Sequence, residues 1–319
     1  MKSKRTNIKE GVLLLNMGGP SNLMEVEVFL KNMFKDPYIL PIKNSFMRRF
    51  VGNMIVKRRL DKALQNYRAI GGKSPMVEYT FSLCQKLAQK KPKCFFSYAM
   101  RYTPPFSEMA LQEMQQKGIE KIYLFSMYPQ YSTTTTLSSF TEVYQCLQKL
   151  NYKPTIEVVD RYCEHPLYHQ LMLNLILETL KEKKAQEYVL IFSAHSLPQS
   201  IIDSGDIYQK ECEKTFDFIK KLLSEREIFF KDVVLSYQSK IGRMKWIGPS
   251  TADVIKKYAK EKLLVFPLGF NIDNSETMYE IDIEYQELAK SFGNKEFLRS
   301  PCFNDGDNFA DFILQLIGE

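Results

Sequence analysis

Short apolar runs alternating with longer amphipathic stretches constrain the fold of this chain more than any other feature of its sequence. Gly11 to Asn16 (GVLLLN) is the first run, and the tight turn Met17-Gly18-Gly19-Pro20 follows it. A helical pattern then covers Met24 to Lys35, with Pro20 suited to a place near its start. Cys94 to Ala99, Lys121 to Ser126 and Thr155 to Val159 read as further strands. Helical patterns cover Ser45 to Ala69, Met76 to Gln89, Pro105 to Gln115 and Thr136 to Leu150. The alternation then repeats: helix Pro166 to Lys183, strand Tyr188 to Phe192, helix Asp206 to Leu223, strand Asp232 to Ser236. Helix Thr251 to Ala259, strand Leu263 to Phe266, an acidic helix and a last helix, Asn308 to Ile317, complete it. Such alternation with short connections predicts an α/β fold of parallel sheets with helices on both faces. Two such sets predict two similar lobes, changing near residues 155–165.

The 319 residues, 45% hydrophobic and 25% charged, suffice for two domains or one large one. No run of 18 apolar residues occurs, so no membrane span is predicted. The N-terminus, MKSKRTNIKEG, leads straight into a strand without a signal-peptide core, which predicts cytoplasmic residence. Six cysteines lie scattered without a C-x-x-C pair, a pattern of reduced thiols rather than of a zinc or iron–sulfur site. A formal charge of +7 suggests an anionic partner: a carboxylated substrate, a lipid surface or nucleic acid. The basic residues form no aromatic-laced strip on one element, which argues against nucleic acid. Phe46 to Arg59 combines basic and apolar residues and predicts peripheral membrane contact, the alternative being the ordinary solvated and core-facing sides of one helix.

Gly71-Gly72-Lys73-Ser74 is not a P-loop, because Tyr67 stands where the first glycine belongs and a helix precedes it. Met17-Gly18-Gly19-Pro20 lacks the G-x-G-x-x-G spacing, and Pro20 removes a donor that a pyrophosphate would use. Of the three histidines, His165 and His169 sit at a helix start and are expected at the surface. His195 comes directly off an apolar strand, at the ligand-facing rim of a parallel sheet. The alternative is a histidine hydrogen-bonded within a turn. No G-x-S-x-G accompanies it, so a serine hydrolase is not supported.

After the strand Leu263 to Phe266, Asp273, Asn274 or Ser275 is placed to cap a helix. Glu276, Glu280 and Glu284 then fall four residues apart on one face, with Glu287 near the same line. A solvated acidic face is the plain alternative. One histidine and one carboxylate, each just past a strand, suit a site that binds a borderline divalent metal briefly and moves protons. Two ligands are too few for a structural zinc. Tyr128 to Ser139 is a hydroxyl-dense loop fit to cap a helix or bond a carboxylated ligand. Lys57, Arg58, Arg59 and Arg101 supply cations for carboxylates, or else a solvated basic face.

The blocks Leu15 to Pro20, Tyr67 to Pro75 and Met100-Arg101-Tyr102 resemble, in order, those of the ferrochelatases, which insert ferrous iron into a porphyrin late in haem synthesis. The likeness continues through Tyr128 to Ser132, Ser193 to Pro198 with Gly205 to Tyr208, Gln238-Ser239, Trp246 to Pro249 and Phe266 to Tyr285. The resemblance implies two Rossmann-like, chelatase-like lobes, each a parallel four-stranded sheet flanked by helices, with the porphyrin in the cleft between them. The lobes would be 1–158 plus 303–319, and 159–302. It implies a catalytic and metal-binding pair, His195 and Glu276, and a metal or proton path through Glu280 and Glu284. Met17, Arg58, Arg59, Tyr67, Ser74, Arg101, Tyr131 and Ser132 would bind the porphyrin. Fe2+ would be a substrate, with no permanently bound cofactor. The chain stops soon after Asn308 without a cysteine-bearing extension, so no iron–sulfur cluster is expected.

The product would be protohaem from protoporphyrin IX. A coproporphyrin ferrochelatase, a cobaltochelatase and a non-catalytic porphyrin carrier are the alternatives. Three positions depart from the family pattern: Asn274 stands for a usual His, Ser196 for a common Gly and Pro104 for a common His.

Overall fold

The computed structural model describes residues 8–240, 242 and 244–318. The chain divides into two compact units. Residues 8–128, Thr133–Arg161 and 304–318 form the N-terminal unit, and Pro129–Ser132 with Tyr162–Phe303 form the C-terminal unit.

The N-terminal sheet comprises β1 (Glu10–Asn16), β2 (Cys94–Met100), β3 (Lys121–Ser126) and β4 (Thr155–Val159), all parallel, in the order β2-β1-β3-β4. Val12, Leu13 and Leu14 are wholly buried, since a central parallel strand is covered on both faces and must be apolar throughout. Around it lie α1 (Val26–Lys35), α2 (Ser45–Ala69), α3 (Met76–Lys90), α4 (Ser107–Gln116) and α5 (Ser138–Lys149). Leu13, Leu15 and Leu124 meet Leu111 and Met114 of α4 and Val143 and Leu147 of α5. On the second core, Phe29 and Leu30 of α1 pack with Val56 and Tyr67 of α2. The C-terminal helix (Asp307–Leu316) returns to α3, where Asp311 pairs with Lys90 at 2.7 Å.

Backbone geometry accounts for the glycines after β1. Gly18 has φ +82°, and a Cβ there would lie 2.2 Å from Thr103 Oγ1; a Cβ on Gly19 would lie 2.5 Å from Ser74. Gly72, at φ +84°, donates its N–H to the carbonyl of Tyr67 at 2.7 Å and so closes the end of α2. The Gly-Gly-Lys-Ser stretch is thus a helix terminator.

The C-terminal unit repeats the strand plan with β5 (Tyr188–His195), β6 (Asp232–Gln238), β7 (Lys262–Leu268) and β8 (Glu296–Arg299), parallel, in the order β6-β5-β7-β8. Its helices are α6 (Pro166–Leu180), α7 (Gln199–Asp203), α8 (Tyr208–Glu225), α9 (Thr251–Lys257) and α10 (Gln286–Ser291). β5 continues past Phe192, where the apolar run ends, because Ser193, Ala194 and His195 stay in register with Ser236, Tyr237 and Gln238 of β6. The buried hydroxyl of Ser193 is satisfied by Gln238 and Thr251, at 2.7 and 2.8 Å. The short edge strand β8 and the five-residue α7 are too brief to leave a periodic signal.

Three expectations are corrected. His169 is buried: its Nε2 meets the carbonyl of Cys163 at 2.7 Å and its ring stacks on Phe218 at 5.0 Å. That burial pushes its pKa down. His165, by contrast, is a cap, its Nδ1 accepting from the N–H of Leu167 at 3.2 Å.

The hydroxyl-dense stretch after β3 is not a loop throughout, since Thr133–Leu137 is a π-helical turn running into α5. The acidic helix is likewise π-wound over Glu276–Tyr285 before α10 begins. An i→i+5 winding stacks residues five apart, and the hydrogen bond from Tyr285 to Glu280 at 2.8 Å is such a pair. Ile281 and Tyr285 meanwhile join Val189, Ile191 and Val265 in the core, which fixes the segment to the sheet. Burial of a side chain such as Ile281 contributes roughly 1.5–3 kcal/mol.

Candidate active site

The parallel sheet of the C-terminal unit ends at a rim where three elements deliver polar side chains. β5 delivers His195, β6 delivers Gln238 in register beside it, and the turn after β7 leads into the π segment carrying Glu276. His195 Nδ1 and Glu276 Oε2 lie 2.8 Å apart, and both side chains are partly exposed, at 34% and 26%. A carboxylate at Nδ1 favours the tautomer that carries the proton there and leaves a lone pair on Nε2. The pair therefore presents a proton acceptor, and a nitrogen–oxygen donor set for a borderline divalent ion.

Glu276 owes its place to its neighbours. Asn274 is buried, and its Oδ1 accepts the N–H of Glu276 at 2.7 Å, an Asx turn that leads into the π segment. Asp273 accepts from Thr277 Oγ1 at 2.7 Å, and Arg299 Nη1 reaches the same oxygen at 2.7 Å. Arg299 also forks onto Asp282 at 2.7 and 2.6 Å, which ties the end of β8 both to the turn before the segment and to its second half.

Glu280 is half-buried, and the loss of solvent there pushes its carboxyl pKa up, with the nearby charge of Glu276 adding to the effect. Hydrogen bonds from Ser239 and Tyr285 oppose that rise. Glu284 and Glu287 are exposed. Among the described residues no group of three or more His, Cys, Asp or Glu is arranged to hold a metal ion.

A family model described as ferrochelatase matches residues 9–319. The chain belongs to the ferrochelatase family. It is 51% identical to the ferrochelatase of Helicobacter pylori (strain HPAG1), over 97% of this chain and 92% of that protein. It is equally 51% identical to the ferrochelatase of Wolinella succinogenes, over 98% of this chain and 99% of that protein. Among solved structures it resembles SirB from Bacillus subtilis with Fe3+, with TM-score 0.59, 10% identity, and 97% and 94% of the two chains covered. CbiX, described as the terminal enzyme for biosynthesis of sirohaem in denitrifying bacteria, matches with TM-score 0.54 at 12% identity, over 97% and 98%. At those identities the structures share the fold.

The other residues that the family likeness selects lie in both units. In the N-terminal unit, Met17 packs against the core that contains Tyr67. Ser74 is buried and its N–H bonds the carbonyl of Pro20 at 2.7 Å. Arg58 is exposed on α2, while the guanidinium of Arg59 lies 5.7 Å from the Phe34 ring. Arg101 is turned into its own unit, with Asp36 at 3.0 Å, Glu142 at 2.9 Å and Ser138 at 2.8 Å. In the C-terminal unit, the N–H of Tyr131 bonds Glu211 at 2.6 Å and Ser132 Oγ bonds Asp206 at 2.9 Å.

Gln238, Ser239, Tyr285 and Arg299 belong to this site although no sequence motif assigns them a role there. The readable signal for Gln238 and Ser239 was their position at the end of β6, one strand from His195. Tyr285 and Arg299 left no signal, since a bond across an i→i+5 turn and an edge strand of four residues are both outside helical and alternating patterns.

Proposed function

We propose that this metal-inserting lyase places Fe2+ in protoporphyrin IX to give protohaem, with His195 and Glu276 as its catalytic and metal-binding pair. The observation that carries the assignment of residues is the 2.8 Å pairing of these two side chains at a parallel-sheet rim, in a chain of the ferrochelatase family. A free porphyrin holds two protons on its inner nitrogens, and both leave as the metal enters. His195, held through Nδ1 by Glu276, takes a pyrrole proton at Nε2. Glu276 keeps the imidazolium oriented and offsets its charge. Glu280 and Glu284 continue the row from a half-buried to an exposed position, an outward path for charge. Iron is a substrate here, and the reaction needs no resident cofactor.

Met17, Tyr67, Ser74, Arg58, Arg59, Arg101, Tyr131 and Ser132 are proposed for the macrocycle and its carboxylates. Arg58 is the cation most open to solvent among them, whereas Arg101 acts through the Asp36 and Glu142 network it already occupies. We also propose peripheral contact with a membrane surface by a cytoplasmic protein. Phe46, Met47, Phe50 and Met54 are exposed on α2, and Arg49, Lys57 and Arg58 are exposed on the same helix. Among the described residues no helix is long and apolar enough to cross a membrane.

The test is purified protein given Fe2+ or Zn2+ with protoporphyrin IX and, in parallel, coproporphyrin. Metalloporphyrin absorbance should develop faster with protoporphyrin and depend on Glu276, so that Glu276→Ala lowers the rate. Faster coproporphyrin turnover would reassign the substrate. Insertion indifferent to Glu276→Ala would remove the proposed site.

A further inference from the structure

Four donors converge on the carboxylate of Glu280. Its Oε1 accepts from the backbone N–H of Ser239 at 2.7 Å and from Tyr285 at 2.8 Å. Its Oε2 accepts from the hydroxyl of Ser239 and from Gln238 Nε2, the latter at 3.3 Å. A carboxylate offers about four lone-pair positions, and these contacts use them all. A metal ion could bind this side chain only by displacing one of these donors.

The cradle is built at a backbone cost. Ser239 sits at φ +66°, a region that L side chains avoid, and there both its N–H and its hydroxyl reach one carboxylate. Gln238 is equally committed. Its Oε1 accepts from Ser193 at 2.7 Å, while its Nε2 also donates to the carbonyl of Glu276 at 3.2 Å. In the sheet it stands in register with His195. One rigid amide thus ties the histidine strand to the backbone of Glu276 and to the side chain of Glu280.

We propose that Gln238 and Ser239 are positioning residues for metal insertion: they hold Glu280 as a saturated carboxylate that anchors the π segment and sets Glu276 against His195, keeping Glu280 off the metal. This rests on the function proposed above. It divides the acidic row, leaving metal contact to Glu276 and giving Glu280 an anchoring task.

The test compares Ser239→Gly, Ser239→Ala and Glu280→Gln with the wild-type protein in Zn2+ insertion into protoporphyrin, alongside hydrogen exchange of residues 276–285. Glycine tolerates φ +66° and keeps the N–H, so Ser239→Gly removes the hydroxyl without adding strain and carries the test if the alanine variant misfolds. Loss of one donor to a charged group should lower kcat by about tenfold in both Ser239 variants. Glu280→Gln should lose at least as much. In all three the KM for Zn2+ should stay within about twofold of wild type, and exchange over 276–285 should quicken by about tenfold. A metal-ligating Glu280 would instead give a Zn2+ KM raised tenfold or more in Glu280→Gln with kcat kept, and that result overturns the proposal. So do unchanged kcat and unchanged exchange in Ser239→Gly. Wild-type protein that inserts no metal refutes the enzymatic function, and the exchange readout then decides the anchoring by itself.

Discussion

In the N-terminal sheet the inner strand β1 ends in Asn16, whose side chain accepts the N–H of Met17 at 2.8 Å and shapes a turn. Its counterpart β5 ends in His195, whose imidazole meets a carboxylate. β3 is followed by a π turn of threonines, Thr133–Leu137, and its counterpart β7 by a π segment of glutamates, Glu276–Tyr285. Each unit also holds one partly buried arginine across two acids: Arg101 on Asp36 and Glu142, Arg299 on Asp273 and Asp282. Strand order, polarity and even the unusual winding are therefore shared, while the residues just past the strands differ in what they can protonate or ligate. A scaffold of this kind sets where chemistry can occur, and side chains at the rim decide which chemistry it is.

Making one rim resemble the other should have the largest effect. His195→Asn gives β5 the ending that β1 has, and it should cost roughly 10²–10⁴-fold in kcat for metal insertion, the usual worth of a positioned acid–base group. Asn16→Ala should leave kcat within about threefold. Comparable losses in the two variants would erase the distinction.

The arginine forks should behave alike in stability and differently in catalysis. Arg101→Ala leaves Asp36, whose side chain is fully buried, without its cation, and Arg299→Ala does the same to Asp273 at 9% exposure. Each should destabilise its unit by about 3–5 kcal/mol in denaturant titration. Arg299→Ala should in addition lower kcat at temperatures where the protein is still folded, because Asp273 and Asp282 flank Glu276. Equal activity per folded molecule would show that the π segment needs no clamp.

How much of this was legible in the sequence varies by residue. Val12 to Leu15 and Leu190 to Phe192 read as strands because parallel inner strands leave no polar face. Ser193 to His195 did not, since a hydroxyl buried against Gln238 and Thr251 looks the same in a sequence as one in a loop. The spacing of Glu276 and Glu280 suggested an α-helical face, yet a bond from Tyr285 spans five residues and belongs to a wider winding. Composition could not show that Ser239 adopts φ +66°, because only packing compels a serine into that region. General tendencies place His169 at the surface, and the carbonyl of Cys163 overrides them by satisfying the buried ring.

Phe46→Ser with Phe50→Ser should leave stability nearly unchanged, as both side chains are exposed, and reduce sedimentation with anionic vesicles at low salt by about tenfold. Retained binding would locate membrane contact elsewhere. The smallest effect concerns pH. The Glu280 carboxyl titrates above its ordinary value in the folded state, so the folded protein holds that proton at pH values where the unfolded chain has lost it. Its contribution to stability is therefore greatest below the unfolded pKa and declines as pH rises through the folded one. Denaturant titrations across the mildly acidic range should show this slope in wild type and lack it in Glu280→Gln.

One rate decides the role of His195: zinc insertion into protoporphyrin IX by wild-type protein and by His195→Ala, with circular dichroism to confirm that both are folded. Zinc protoporphyrin should form with the wild type and at least about a hundredfold more slowly with the variant. Equal rates in two folded proteins would contradict a rim at which His195 and Glu276 do the chemistry.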